Sequence, residues 1–384
     1  MAERGAIPRA HRFLLECGGA CGDLGTFIPH VVGAMTVAGL APAGVLFGFS
    51  AFMIATGLFY GLPLPVQPMK AISAVILTGG LRPGEVAAAG MMIGVVLLVL
   101  GITGWIGRLA RAIPQSVSAG LQLGLGLLMG VLGLKLILQT PWLGVGSLTL
   151  LFALTRVPRC PAAPLALAAA IIAGWLSGKT GIALELAVTR GPPQLIVPSW
   201  PEVWRSFEIA VLPQLSLTLT NAVIVTASLA RELFPLTGSI ASERRLALSS
   251  GLANVLLCPF GAMPMCHGAG GLAAQFRFGA RTGLAPIIFG AVLLVLAIVF
   301  ADHAAALFAL IPMGAVGSLL IFAGTDLAIS RRLFDGKPSC LWVIGATALV
   351  TVTVNPALGL VLGWVAEVIR AAIVRRLIPE RPKS

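Results

Sequence analysis

Charge is the scarce ingredient of this sequence. Only 10% of its 384 residues are Asp, Glu, Lys or Arg, against 58% hydrophobic, and the mean hydropathy is +0.98. A soluble domain of ordinary composition is excluded. Long polar stretches are missing as well: apolar runs recur from about residue 13 to residue 377, so an integral membrane protein is expected, with no sizeable soluble domain at either end. No cleavable leader is expected either, because residues 1–12 are basic and polar and the apolar segment after them carries no small-residue cleavage signal. The six cysteines (Cys17, Cys21, Cys160, Cys258, Cys266 and Cys340) are scattered through apolar segments without a C-x-x-C or paired spacing. That pattern argues against a disulfide framework or a zinc site. H-E-x-x-H and G-x-S-x-G are absent, and "GLGLLMG" and "GAGGLA" lack the Lys and Ser/Thr of a phosphate-binding loop. Neither hydrolase chemistry nor primary pumping is supported, and no metal or cofactor is expected.

What is present is a succession of about fourteen apolar segments, some shorter than the roughly 20 residues of a full span. Threading them from a cytoplasmic N-terminus assigns the cations. Twenty of the 26 Lys and Arg fall on the cytoplasmic side, four (Arg82, Lys179, Arg190, Arg205) fall outside, and Lys70 and Lys135 lie within or at the ends of spans. Such a bias sets orientation in a membrane, places both termini in the cytoplasm and accounts for most of the net charge of +12 without a nucleic-acid partner. Trp105, Trp142, Trp175, Trp200 and Trp364 near segment ends read as interfacial anchors.

The longest polar interruption, 180–208, follows the seventh segment and reads as an extracellular linker (180–206) between halves. Seven being odd, a second set of seven enters the membrane in the opposite sense, an inverted repeat. Landmarks recur at one offset: Pro114 and Pro312 are 198 residues apart, as are Asp23 and Asn221, and "PVQPMKA" from Pro65 aligns with "PMCHGAG" from Pro264 with one residue added. Both of these last stretches are proline-rich and run into apolar segments too short to span. Each therefore reads as an extended lead-in to a half-helix, in segments 3 and 10. Non-helical backbone at membrane depth survives only where protein buries it or a cavity is lined by it, and paired interruptions in two halves point to a transporter's binding site.

Four stretches in order, "GDLGTFIP", "PLPVQPMKAI", "LPQLSLTLTNAV" and "FGAMPMCHGAGGLAAQFRFGARTG", together resemble the molybdate transporter family, relatives of the sulfate permeases. The resemblance covers nearly the whole chain. It implies an all-α polytopic fold of fourteen transmembrane segments in two inverted seven-span repeats, with a sulfate-permease-like core domain (13–112 and 207–301) and gate domain (113–179 and 302–384). It implies a secondary active transporter rather than an enzyme, with molybdate as leading substrate, the bacterial inner membrane as setting and the lipid bilayer as surroundings; a homodimer is a candidate assembly. Sulfate permeases commonly add a soluble C-terminal regulatory domain, and none is expected here.

The residues themselves suit an oxyanion. A half-helix starting mid-membrane presents unpaired amides and a positive dipole end of about half an elementary charge. One is expected to begin at Gln67, Pro68, Met69 and Lys70, the other at Cys266, His267, Gly268, Ala269, Gly270 and Gly271, where small residues leave the backbone uncovered. Lys70 supplies a full charge, although snorkelling or pairing with Asp23 are open alternatives. An unpaired Lys at the bilayer centre costs on the order of 3 kcal/mol. Thr220 and Asn221 are candidate contacts, with Thr26, Gln214 and Thr218 as secondary ones. His267 either donates to the anion or is a packed, hydrogen-bonded histidine. Asp23, expected about one turn into the first span, is the candidate for proton coupling: two helix ends and Lys70 sum to roughly +2, matching a tetrahedral dianion only if Asp23 is neutral. The alternatives at this stage are sulfate or another anion on the same fold and, remotely, an intramembrane enzyme built on Cys266 and His267.

Overall fold

The computed structural model describes residues 9–108, 114–157, 160, 162–178, 193, 195–300, 310–329 and 338–377; for 9–11, 220–221, 299–300 and 376–377 it describes the backbone only. Most of the expected linker lies outside the described residues. So do Arg4, Arg111, Arg159, Lys179, Arg190, Arg331, Arg332, Lys337, Arg381 and Lys383 of the charge tally.

With no water to satisfy backbone amides in a bilayer, an apolar chain of this composition must close its hydrogen bonds within helices. The described elements are α1 (Arg9–Gly22), α2 (Leu24–Thr36), α3 (Pro42–Tyr60), β1 (Gln67–Pro68), α4 (Lys70–Gly79), α5 (Pro83–Thr103), α6 (Gln115–Ile137), α7 (Pro141–Thr155), α8 (Ala162–Leu176), α9 (Trp200–Leu233), α10 (Glu243–Leu257), β2 (Met265–Cys266), α11 (Ala269–Arg277), α12 (Leu284–Phe300), α13 (Met313–Ala328), α14 (Leu341–Thr353) and α15 (Pro356–Leu377). By length and composition α3, α5, α6, α9 and α15 are each able to cross a membrane. Proline opens α3, α5, α7 and α15, where its missing N–H costs nothing because first-turn amides have no helical acceptor. Gly61, at φ 61°, ends α3 in the left-handed conformation that only glycine adopts without strain, and turns the chain toward β1. α9 is wound loosely, with π-helical turns at Phe207–Val211 and Thr218–Val225.

Several starts recur 198 or 199 residues apart. Pro114 caps α6 with φ −66° and ψ 136°, and Pro312 caps α13 with φ −61° and ψ 135°. α4 opens at Lys70 and α11 at Ala269, each preceded by a two-residue strand. The packing is crossed: α3 lies against α12, and their counterparts one offset away, α10 and α5, lie against each other. These contacts are tight because glycine faces glycine. A Cβ on Gly94 would meet the Gly251 carbonyl at 2.9 Å and one on Gly251 would meet that of Gly94 at 2.8 Å; on α6 and α13, Gly133 and Gly324 would run into the carbonyls of Gly317 and Gly126, each at 2.6 Å. Small residues let helix backbones approach where lipid offers no hydrophobic drive for association.

One expectation needs correction here. Asp23 does not sit one turn into a span; it occupies the break between α1 and α2, where its carbonyl accepts from the amides of Thr26 and Phe27 at 3.0 Å and its side chain is buried.

Candidate functional site

The prolines of 63–68 and 264 deny this backbone a helix, so β1 and β2 run extended and pair with each other antiparallel, Gln67 opposite Cys266 and Pro68 opposite Met265. The Met69 amide continues the ladder to the Pro264 carbonyl at 2.9 Å. Asn254 of α10 holds β2 from behind, donating from Nδ2 to the Met265 carbonyl (2.6 Å) and accepting at Oδ1 from the Met265 amide (2.9 Å). This crossing brings the N-termini of α4 and α11 together. At 10 and 9 residues each helix is about 15 Å long, half the thickness of a hydrocarbon core.

The two ends differ in what their amides do. On α4 the amides of Ala71 and Ile72 donate to Gln214 Oε1 at 2.9 and 3.1 Å, and Gln214 Nε2 donates to Thr218 Oγ1 at 2.8 Å. Gln214 and Thr218 are thus engaged with α4 and with each other, correcting the picture of two equally open helix ends. On α11, no acceptor among the described residues takes up the amides of Ala269, Gly270 or Gly271. Gln67 lies across this end. Its Nε2 donates to Asp23 Oδ1, and a Cβ on Gly271 would meet Gln67 Nε2 at 2.6 Å, Asp23 Oδ1 at 2.7 Å and Pro65 Cβ at 2.7 Å. Gly268 is equally hemmed in by the Gln67 carboxamide. Glycine is required here because the neighbouring side chains already fill the space. Asp23 Oδ2 is buried without a hydrogen-bond partner among the described residues.

Lys70 is the first residue of α4, and its partner is Asp326 on α13: Nζ to Oδ2 is 2.9 Å, with the side chains 25% and 59% exposed. The alternative of an Asp23–Lys70 pair is therefore set aside, and the charge sum that counted Lys70 as free omitted Asp326. Two spaces meet at this lysine. A polar cavity of about 250 Å³ is lined by Lys70, Asp326, Thr26, His30, Gly270 and Arg277, and extends to Thr155 at the end of α7. On the other side is a crevice of about 30 Å³, lined by Gln67, Pro68, Gln122, Gln214, Cys266, His267, Gly268 and Leu327. That crevice has room for about one water.

His267 is a packed histidine. Nδ1 lies 3.0 Å from the Pro65 carbonyl, which only accepts, so Nδ1 carries the proton; Nε2 lies 2.9 Å from Ser249 Oγ, itself 2.9 Å from Tyr60 Oη. For a neutral ring the chain runs Tyr60 to Ser249 to His267 to Pro65, each donating to the next. The ring centroids of Phe52 and Tyr60 are 5.1 and 5.6 Å from that of the imidazole. The side chains of Thr220 and Asn221 lie outside the described residues. Sequence reasoning missed His30, whose Nδ1 is 2.7 Å from Ser73 Oγ, and it missed Gln122 and Asp326. Asp326 and His30 each carried a signal, as an ionisable residue in an otherwise apolar segment.

Two short helices that meet end to end in a helical membrane protein, with a lysine at the junction and first-turn amides that have no acceptor among the described residues, suit an anion carrier. Superposition agrees: the chain matches the transmembrane domain of a cyanobacterium bicarbonate transporter, BicA, with a TM-score of 0.68 over 94% of this chain and 98% of that one at 17% identity, and the murine Slc26a9 anion transporter with 0.68 over 97% and 69% at 13% identity. At such identities these likenesses establish the fold. Residues 15–129 and 207–327 match the family described as "Molybdate transporter of MFS superfamily". Molybdate transporter 2 of Arabidopsis thaliana is 31% identical over 91% of this chain and 86% of its own length. The chain belongs to the molybdate transporter family.

Proposed function

We propose that this protein takes up a tetrahedral oxyanion, molybdate foremost, by secondary active transport, and that it binds the anion where α4 and α11 begin. The observation that carries this reading is the junction itself: a lysine at the first position of one short helix, three amides at the start of the other with no acceptor among the described residues, and a polar cavity reaching both Lys70 and Gly270. A helix start with free amides favours an anion. Thr26 adds a hydroxyl within the same cavity. Gln67, Pro68, Cys266 and His267 shape the junction from the crevice side, with His267 acting through the Pro65 carbonyl it holds and Met69 tied in by its amide to the Pro264 carbonyl.

The recurring starts and crossed packing support two inverted repeats of seven spans, with α4 and α11 as the half-helices of spans 3 and 10. They also support a core (13–112, 207–301) that rocks against a gate (113–179, 302–384). Arg277 and Thr155 fall on the side to which the charge bias assigns the cytoplasm, so the cavity faces inward in this conformation. The setting is the bacterial inner membrane with both termini inside.

Asp23 is the proton carrier in this reading. A buried ionised carboxylate with one oxygen unpartnered is costly; a proton on Oδ2 removes that cost and offsets one charge of the incoming dianion. The test is uptake of labelled molybdate into proteoliposomes, competed with sulfate and run with and without an imposed pH gradient. Saturable uptake that is abolished in Lys70→Ala, and an Asp23→Asn variant that has lost its response to the gradient, are the expected results. Preferential competition by sulfate would reassign the substrate to that oxyanion, and uptake indifferent to both variants would remove the site.

A further inference from the structure

We infer that Asp326 is a tethered counter-anion for the substrate: it holds Lys70 in the empty carrier, is displaced when oxyanion oxygens reach the lysine, and takes Lys70 back as substrate leaves. This rests on the reading of Lys70 as a substrate contact.

Three observations support it. Lys70 has a carboxylate at 2.9 Å, so the charge meant for an incoming anion is already satisfied. The partner comes from a different helix, α13, lines the same cavity as Lys70, and is 59% exposed. A carboxylate with that much open space beside it can swing away without being left buried and unpaired, unlike one sealed in a core. Finally, Leu327, the residue next to Asp326, walls the one-water crevice beside Gln67 and Gly268. The same turn of α13 therefore both occupies the lysine and narrows the space beside it.

Charge arithmetic gives the consequence. With Asp326 ionised and paired, Lys70 contributes nothing net, and the two helix ends offer only about +1 to a dianion. With the carboxylate displaced, the lysine's charge is restored to the site. The pair thus weakens binding by the cost of breaking it, and it provides a replacement ligand at release so that the ammonium is not left bare in the membrane. His30 and Arg277 line the same cavity. His30 is bonded to Ser73 and Arg277 stands at the far end of α11, so neither takes the place of Lys70 at the junction.

The experiment measures molybdate binding to the purified full-length protein by calorimetry, and uptake kinetics in proteoliposomes, for Asp326→Asn, Asp326→Glu and Lys70→Ala. Asp326→Asn is expected to tighten Kd and lower KM about fivefold, with a fall in maximal rate because release now leaves the lysine unpaired. Asp326→Glu, which keeps the carboxylate, is expected to restore Kd toward the parent value. Should Asp326→Asn unfold, Asp326→Ser is read the same way. Unchanged or weaker binding in folded Asp326→Asn or Asp326→Ser, while Lys70→Ala abolishes binding, overturns the counter-anion and leaves the site standing. Unaltered binding in Lys70→Ala overturns both.

Discussion

At the scale of single residues, the two glycines against Gln67 matter because of what already fills the space beside them. Gly271→Ala would drive a methyl into Gln67, Asp23 and Pro65, three groups that cannot all yield without shifting the start of α11. We expect this variant to reach the membrane and lose uptake at least tenfold, measured as initial rate per mole of reconstituted protein, while Gly270→Ala, which meets nothing, keeps most of it. His267 makes a contrasting prediction. Removing its ring in His267→Ala strands the Pro65 carbonyl and Ser249, at about 1–3 kcal/mol for a buried group left unsatisfied. Thermal stability should therefore fall. Molybdate affinity should change much less than in Lys70→Ala, and an affinity loss as large as that of the lysine variant would instead place the imidazole on the substrate.

The element scale concerns how helices end. Gln214 occupies two first-turn amides of α4 from a helix in the other half of the chain, a capping contact between segments 143 residues apart. Gln214→Ala is expected to destabilise by about 1–3 kcal/mol, read as a lowered melting temperature in detergent. Gln214→Glu should keep the cap and the stability, but a carboxylate there opposes a second anion, so molybdate Kd should weaken about tenfold or more. Stability and affinity thus separate in the two variants. At the opposite end of α4, Arg205 donates to the Gly79 carbonyl at 3.3 Å and pairs with the buried Glu85 at 2.8 Å. A short helix is fixed at both termini by side chains remote in sequence, because ten residues supply too few internal hydrogen bonds to hold themselves.

For the whole molecule, the proposed inverted arrangement predicts which positions share a side. In a cysteine-free background, Arg82→Cys should be labelled by an impermeant thiol reagent added outside, and Arg245→Cys only from within or after permeabilisation. Labelling of both from one side would dismantle the assigned orientation. The crossed glycine contacts carry the second prediction at this scale. Gly94→Leu in α5 would force apart α5 and α10, where two backbones approach within the reach of a methyl. The expected result is loss of folded protein rather than altered specificity, seen as aggregation in size-exclusion chromatography.

The sequence by itself determined that the chain lives in a bilayer, that helix starts such as those after Pro114 and Pro312 recur 198 residues apart, and where the helix was broken. These are properties of composition and of proline and glycine placement, which act locally: a proline removes its amide wherever it stands, and an apolar run of ten cannot span. The identity of the site's small residues was legible for the same reason. Only the tertiary structure decided which charges meet. Asp23 and Lys70 looked like partners because both stand in apolar surroundings of the same half. The fold gives Lys70 to Asp326 of the other half, and Asp23 to Gln67, because strand pairing and helix crossing set distances that residue spacing does not encode. It also decided which helix start stays open, since a glutamine from a third helix closes one set of amides and nothing described closes the other.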